Sequence, residues 1–91
     1  MTEPRQATLA QIRSLDDVYD QLARQLDFPA DFGRNLEALH DQLTGSLPGP
    51  VRIVWRGCLQ SAPLLGPQFD ELLGTLNDAS GERADLEIVL G

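Results

Sequence analysis

Apolar residues recur at helical spacing in three stretches of this chain. The first stretch begins after Ser14 and places Leu15, Val18, Tyr19, Leu22 and Leu26 on one side of a helix. The Ser14 side chain can accept a hydrogen bond from the backbone N–H of Asp17, which predicts the N-terminal cap of this first helix. Pro29 disfavours helical backbone at Phe28, so we expect the helix to end there.

The other two stretches predict two further helices. Asn35 can cap a second helix, from about Leu36 to Leu43, whose inner face consists of leucines. Gly45 follows at a position where a left-handed C-terminal stop is expected. The last helix is predicted by the apolar residues Phe69, Leu72, Leu73, Leu76 and Ala79, with a turn at residues 80–83.

Three short stretches have the composition of β-strands. Residues 51–55 are rich in β-branched side chains, residues 86–90 alternate between apolar and polar, and a weaker signal covers residues 7–10. Residues 57–67 contain Pro63 and Gly66 and can form either one helical turn or a loop. The element order is therefore β-α-α-β-(α)-α-β. Because helices separate the strands, we predict a single domain (residues 1–91) with an α/β fold: two layers, in which helices pack on a three-stranded parallel sheet.

The composition narrows the classes of function. Seven basic residues against fourteen acidic ones give a net charge of −7. This balance argues against a protein that binds nucleic acid or an anionic membrane, since both need clustered cations. It suits a very soluble chain or one that binds a basic partner. The polar start of the chain and the lack of a long apolar run predict a cytoplasmic protein.

The polar side of the predicted second helix carries the clearest functional signal. It contains Glu37, His40, Asp41 and Thr44, opposite the leucines. Like charges four residues apart destabilise a helix by about 0.2–0.5 kcal/mol, so the presence of both Glu37 and Asp41 on this helix needs an explanation. One interpretation is that this pair binds cations of another molecule; the other is an ordinary solvent-exposed helix face. The preceding loop, with Asp31 and Gly33, leads into the same side.

Catalytic and metal sites have weaker support in the sequence. The chain has one histidine, His40, and one cysteine, Cys58, so neither a disulfide within the chain nor a Cys-pair metal site can form. A thiol–imidazole pair lacks the spacing of a known motif, and one imidazole among many carboxylates is weak evidence for a metal. We expect no catalytic residue, metal or cofactor. A small metal-dependent enzyme that uses His40 and a carboxylate remains an alternative.

The segment from Phe28 to Gly45 resembles one that barstar-type ribonuclease inhibitors share. This chain reads Phe-Pro-Ala-Asp-Phe-Gly-Arg-Asn-Leu-Glu-Ala-Leu-His-Asp-Gln-Leu-Thr-Gly. The family reads roughly aromatic-Gly-x-Asn-Leu-acid-Ala-Leu-Trp-Asp-x-Leu-Thr-Gly. The likeness extends to Ile12-Arg13-Ser14, to Val54-Trp55-Arg56 and to the last strand, and so runs from about Ile12 to Leu90. The central segment is specific, whereas the flanking ones alone are not.

This resemblance implies a protein inhibitor of a small basic bacterial ribonuclease, with an immunity or antitoxin role and no enzymatic activity. Its second helix and the loop before it block the active site of the nuclease. Asp41 matches a residue that takes the place of an RNA phosphate, and Glu37 and Asp78 match further acidic contacts. The other matched positions touch or shape the interface: Gly33, Asn35, Leu36, Thr44 and Gly45. The implied inhibitor is a monomer when free and forms a 1:1 complex.

The chain departs from the family pattern at three positions of this surface. Asp31 and His40 stand where relatives carry aromatic residues, and Arg34 stands where an acid is common. Because aromatic anchors often dominate binding energy, we expect a divergent ribonuclease as partner, with Asp31 and His40 among the contacts. Imidazoles change charge near neutral pH, which also predicts pH-dependent binding. The alternative is an acidic protein-binding module whose partner is another basic toxin or no nuclease at all.

Overall fold

Strands and helices follow one another in the predicted order. The computed structural model describes residues 5–91, without the side chain of Ser46; residues 1–4, part of the polar start noted above, lie outside this range. The strands are β1 (Arg5–Leu9), β2 (Val51–Trp55) and β3 (Leu86–Leu90). The helices are α1 (Leu15–Leu26), α2 (Leu36–Asp41), α3 (Cys58–Leu65) and α4 (Pro67–Glu82), and a π-helical turn (Gln42–Ser46) continues α2. No helix within residues 5–91 has the length and apolar character to cross a membrane.

The three strands form one parallel sheet, as predicted, and their order in the sheet is β1-β2-β3. In its register, Ala7 lies beside Ile53, and Arg52 lies beside Glu87. Ala7 and Ile53 point to one face and are fully buried. Arg52 and Glu87 point to the opposite face, are exposed and form an ion pair. The helices therefore cover one face of the sheet, which confirms the two-layer α/β fold.

The first helix begins at its predicted cap. Ser14 Oγ accepts a hydrogen bond from the Asp17 backbone N–H at 3.4 Å, and the buried residues of α1 are Val18, Tyr19, Leu22 and Leu26. The helix ends at the predicted place by a different mechanism. Asp27 adopts the left-handed conformation (φ 56°), and its N–H donates to the Ala23 carbonyl. The stop is thus made by Asp27 before Pro29 is reached, because aspartate tolerates this conformation better than most residues.

Two glutamines of α1 cover the outer edge of β1. The Gln25 side chain accepts from the Thr8 N–H at 2.8 Å and donates to the Thr8 carbonyl at 2.9 Å. Gln21 makes the same pair of bonds with Ala10, at 3.0 and 2.9 Å. These amides occupy backbone groups that an added strand needs, so the edge is closed to further pairing at these positions.

Residues 57–67, for which the sequence allowed a helical turn or a loop, form α3 and the start of α4. α3 accommodates Pro63, and Gly66 separates the two helices with a φ of 60°. α4 continues to Glu82, so the predicted turn at residues 80–83 is wrong for its first three positions. Ala79 is fully buried in the last part of α4, and this tertiary contact outweighs the turn preference of the residues that follow.

An arginine holds the end of the second helical segment. Arg83 Nη1 donates to the carbonyls of Leu43 (2.8 Å) and Leu47 (2.7 Å), while its Nε and Nη2 donate to the two Asp85 oxygens at 2.9 Å. Gly45, the predicted left-handed stop, lies inside the π-helical turn without a positive φ. That prediction is wrong because Arg83, which is 13% exposed, satisfies carbonyls at this helix end.

The Arg83–Asp85 pair predicts a loss of stability in acid. Hydrogen bonds from Arg83 lower the pKa of Asp85 below its ordinary value. A carboxyl whose pKa is lower in the folded than in the unfolded state stabilises the fold above the unfolded pKa, and this contribution disappears as the pH falls through the folded pKa. We expect the free energy of unfolding to decline below about pH 4.

The measurement is urea unfolding between about pH 7 and about pH 2, compared for the parent chain and Asp85→Asn. The variant lacks the titrating carboxyl and should show a shallower decline. Asp70→Asn, which removes an exposed carboxyl without an ion pair in residues 5–91, is the matched control. Parallel curves for the parent chain and Asp85→Asn contradict the prediction.

Candidate functional site

The second helix starts from a cap that also orders the loop before it. Asn35 Oδ1 accepts a hydrogen bond from the Ala38 N–H at 2.7 Å, and its Nδ2 donates to the Gly33 carbonyl at 3.3 Å. A Cβ at Gly33 would lie 3.2 Å from the Ala38 Cβ, so the loop approaches the first turn of α2 closely. Leu39 is fully buried. This anchoring turns the opposite side of α2 toward solvent.

Four carboxylates lie on the exposed sides of α2 and α4, which pack against each other. Glu37 and Asp41 belong to α2, and the Asp41 side chain is 77% exposed. Asp78 and Glu82 belong to α4, are exposed, and are neighbours one helical turn apart. Together with His40 and Thr44 they are called the acidic face from here on. Thr44 is half-buried, and its hydroxyl donates to the His40 carbonyl at 2.8 Å.

His40 connects the two helices of the acidic face. Its Nε2 lies 2.9 Å from Glu82 Oε2, and its Nδ1 lies 3.9 Å from Asp41 Oδ1. The imidazole is 29% exposed, so it forms part of the surface and is not a core residue. The sequence analysis did not identify Glu82, because the predicted turn at residues 80–83 gave no reason to place it on a helix.

The loop before α2 is anchored by aromatic packing. The Phe32 ring packs edge-on against Tyr19, with centroids 5.7 Å apart, and lies 5.0 Å from the Phe28 ring. The Phe32 N–H donates to the Pro29 carbonyl at 3.0 Å. Phe32 is half-buried, whereas Asp31 beside it is exposed. The loop therefore presents Asp31 to solvent from an anchored backbone.

Arg34 ties the same loop to α1. Its Nη1 lies 2.9 Å from Asp20 Oδ1, and its Nη2 lies 3.3 Å from Asp16 Oδ1. The guanidinium carbon is 5.7 Å from the centre of the Tyr19 ring. The hydrogen bond that Arg34 donates to the Asp20 carboxylate raises the pKa of Arg34 further above its ordinary value. The cation that the sequence placed on the binding surface is thus engaged by carboxylates of its own chain.

This arrangement predicts that Arg34 restrains the loop. In Arg34→Gln, we expect the Phe32 amide to exchange with solvent about two- to fivefold faster, because the ion pairs to α1 are lost. Hydrogen exchange followed by NMR measures the effect. Arg24→Gln removes an exposed arginine of α1 that has no carboxylate within 4.0 Å in residues 5–91 and serves as control. Equal exchange of Phe32 in the two variants would show that Arg34 does not restrain the loop.

The structure places the predicted site residues on the surface, and none of them lines either of two cavities formed within residues 5–91. Asp31, Gly33, Asn35, Glu37, Asp41, Gly45 and Asp78 are exposed, and Leu36, His40 and Thr44 are half-buried. The larger cavity lies at the carboxyl ends of β1 and β2, and the smaller one lies beside the start of β2. An exposed face of carboxylates suits contact with a cationic protein surface better than binding of a small molecule.

Of the groups of the enzyme alternative, His40 and a carboxylate lie together, with Nε2 2.9 Å from Glu82 Oε2. Asp41 contacts the other ring nitrogen, so the two carboxylates do not converge on one point. Within residues 5–91, no three His, Cys, Asp or Glu side chains converge as metal ligands. Cys58, the first residue of α3, is buried.

Both a family model and a curated protein are similar to this chain. Residues 2–90 match the family model described as Barstar (barnase inhibitor). Over 72 residues, the chain is 36% identical to a Bacillus subtilis (strain 168) protein described as "Putative ribonuclease inhibitor YrdF", and this alignment covers 79% of each chain.

Proposed function

We propose, because the chain belongs to the barstar family, that it inhibits a small basic bacterial ribonuclease by covering the active site of that enzyme. The acidic face and the Asp31–Arg34 loop form the contact surface. The chain contributes no catalysis to this function. It binds the nuclease one to one and protects the cell that makes it, as an immunity protein does.

The distribution of ion pairs is the observation that carries this proposal. The chain has seven basic residues, all of them arginines. Some of these arginines form ion pairs that stabilise the fold: Arg34 with Asp16 and Asp20, and Arg83 with Asp85. No arginine within residues 5–91 lies within 4.0 Å of Glu37, Asp41, Asp78 or Glu82. The His40 imidazole lies within that distance of Asp41 and Glu82. These carboxylates are therefore free to meet the cations of a partner.

A ribonuclease must hold the phosphodiester backbone of RNA with cationic side chains. A carboxylate on a rigid helix can occupy the position of one phosphate and satisfy the same cations. Glu37 and Asp41 are both exposed on the helix that Asn35 and Leu39 anchor, and the family resemblance assigns the position of the phosphate to Asp41. Since loop and helix are ordered before binding, little conformational entropy is lost on association.

The departures from the family pattern indicate which partner is recognised. Asp31 adds a carboxylate to the loop, and the His40–Glu82 contact extends the acidic face onto the end of α4. A partner that matches this surface needs cations opposite Asp31 and Glu82, in addition to those opposite Asp41. It needs no groove for large aromatic side chains at these positions.

The proposal is tested by an RNA cleavage assay. Small basic bacterial ribonucleases, including those that the source organism secretes, are titrated with the purified chain. We expect at least one of them to lose its activity at a 1:1 ratio of chain to enzyme. If the complex is tight, the inhibition should persist when RNA is in excess. Undiminished RNA cleavage by every such enzyme at a large excess of the chain refutes the proposed function.

Association with the nuclease should depend strongly on salt. Opposite charges raise the rate of encounter at low ionic strength, and salt screens this attraction. Between about 0.05 and about 0.5 M NaCl, we expect the association rate constant to fall about tenfold or more, with a smaller change in dissociation. Stopped-flow fluorescence measures both rates. A rate of association that is independent of salt contradicts binding through the acidic face.

A further inference from the structure

A cleft at the carboxyl ends of β1 and β2 takes no part in the proposed inhibition. It has a volume of about 250 Å³. Gln11 and Arg13 line it after β1, Arg56 lines it after β2, and Gln60, Ser61 and Leu64 line it from α3. These six residues are called the arginine cleft below. None of them belongs to the acidic face.

The charges of the arginine cleft differ from those of the rest of the molecule. Acidic residues outnumber basic ones two to one in this chain, and four arginines are ion-paired: Arg5, Arg34, Arg52 and Arg83. Arg13, Arg24 and Arg56 have no carboxylate within 4.0 Å among residues 5–91, and two of these three, Arg13 and Arg56, line the cleft. The nearby Asp17 carboxylate accepts from the Arg13 backbone N–H, at 2.9 Å, instead of from its guanidinium. Two arginines without an ion pair in the described residues thus line one cleft.

Neutral hydrogen-bonding groups complete the cleft. Ser61 is 4% exposed and supplies a hydroxyl beside the cleft. The Gln60 side chain supplies an amide on the same helix. The N–H groups of Gly57 and Cys58 at the start of α3 already donate to the Gly91 carbonyl, at 2.9 and 3.3 Å. The donors that the cleft offers to a ligand are therefore side-chain groups, because these N–H groups at the start of α3 are already occupied.

We propose that the arginine cleft binds a phosphate group, carried either by inorganic phosphate or by a small phosphorylated molecule. Guanidinium groups bind phosphate oxygens in pairs of parallel hydrogen bonds, and a hydroxyl and an amide can satisfy the remaining oxygens. The volume lies just below the range typical of drug-sized ligands, which favours a small molecule. The proposal is independent of the proposed inhibition.

An NMR titration of the full ¹⁵N-labelled chain tests this proposal. Inorganic phosphate is added at constant ionic strength, with sodium chloride as the reference anion. We expect saturable shifts of the Nε–Hε signals of Arg13 and Arg56 and of the Gly57 and Gln60 amides. In Arg13→Gln and in Arg56→Gln, affinity should fall about tenfold, because a charge-assisted pair of hydrogen bonds is lost. Arg24→Gln, with its exposed arginine on α1, should bind as the parent does.

A second titration with ribose 5-phosphate identifies the source of the phosphate. Tighter binding of the sugar phosphate supports a phosphorylated molecule, and equal binding supports recognition of the phosphate group alone. The proposal is overturned if chloride produces the same shifts, if the shifts do not saturate, or if Arg56→Gln behaves as Arg24→Gln does. Both cleft variants should still inhibit the ribonuclease, so the outcome is separate from that of the proposed function.

Discussion

Asp41→Ala is expected to weaken binding to the ribonuclease by roughly 2–5 kcal/mol, a factor of about 30 to 4,000 in Kd. The variant leaves a cationic pocket of the nuclease desolvated and without its carboxylate, and this penalty exceeds that of losing a surface charge. The Asp41 side chain is 77% exposed, so the free energy of unfolding should change by less than about 0.5 kcal/mol. Calorimetric titration measures the affinity, and urea unfolding confirms the fold.

The control for this experiment must remove one negative charge without touching the contact surface. Asp70→Ala does so, because Asp70 is exposed in the first turn of α4, eight residues or roughly 12 Å along the helix axis before Asp78. Asp20 on α1 is unsuitable, since its carboxylate holds Arg34 and hence the loop. Equal losses of affinity in Asp41→Ala and Asp70→Ala would show that only the net charge matters, which contradicts occlusion by α2.

Arg83→Met is expected to lower the free energy of unfolding by about 2–4 kcal/mol. The methionine keeps much of the apolar stem, but the carbonyls of Leu43 and Leu47 and the Asp85 carboxylate lose their donor. Those carbonyls end the segment that carries Asp41, so the variant should also loosen that end of α2. Urea unfolding measures the stability, and Arg24→Met, at an exposed position of α1, is the control. Equal stabilities of the two variants contradict the role assigned to Arg83.

Gly49→Ala provides a second test of the same contact. A Cβ at Gly49 would overlap Asp85 Oδ2 and Arg83 Nη2, so the substitution should displace the ion pair and cost about 1–3 kcal/mol. In the Arg83→Met background, the same substitution should cost at least about 0.5 kcal/mol less, because the guanidinium is already absent. Additive effects of the two substitutions would show that Gly49 does not support the Arg83–Asp85 pair.

The sequence predicted the candidate site well where local patterns suffice. The Asn35 cap and the helical spacing of the leucines together orient α2, and orientation alone turns Glu37 and Asp41 outward. The structure shows Asp31 and Asp78 exposed, as a contact surface requires. Whether these residues touch a nuclease remains a prediction, which the variants above test.

Glu82 and Arg34 show why the rest of the site could not be predicted. Glu82 reaches His40 across 42 positions of the chain, and α4 extends that far because Ala79 is held in the core. Arg34 looked like a free cation on the binding loop, but Asp16 and Asp20 lie within reach only after α1 and the loop have packed together. Neither contact has a signature in the local order of residues.

The sequence by itself determined the order of strands and helices, the parallel sheet, the first two helix caps and the exposed carboxylates of α2. These features follow from the period of apolar residues and from side chains that bond to their own neighbours. Only the tertiary structure decided how α2 ends, which carboxylates form ion pairs, and which arginines have no ion pair within residues 5–91. Each of these depends on contacts between distant segments, such as Arg83 with Leu43, and such contacts are set by packing and not by spacing along the chain.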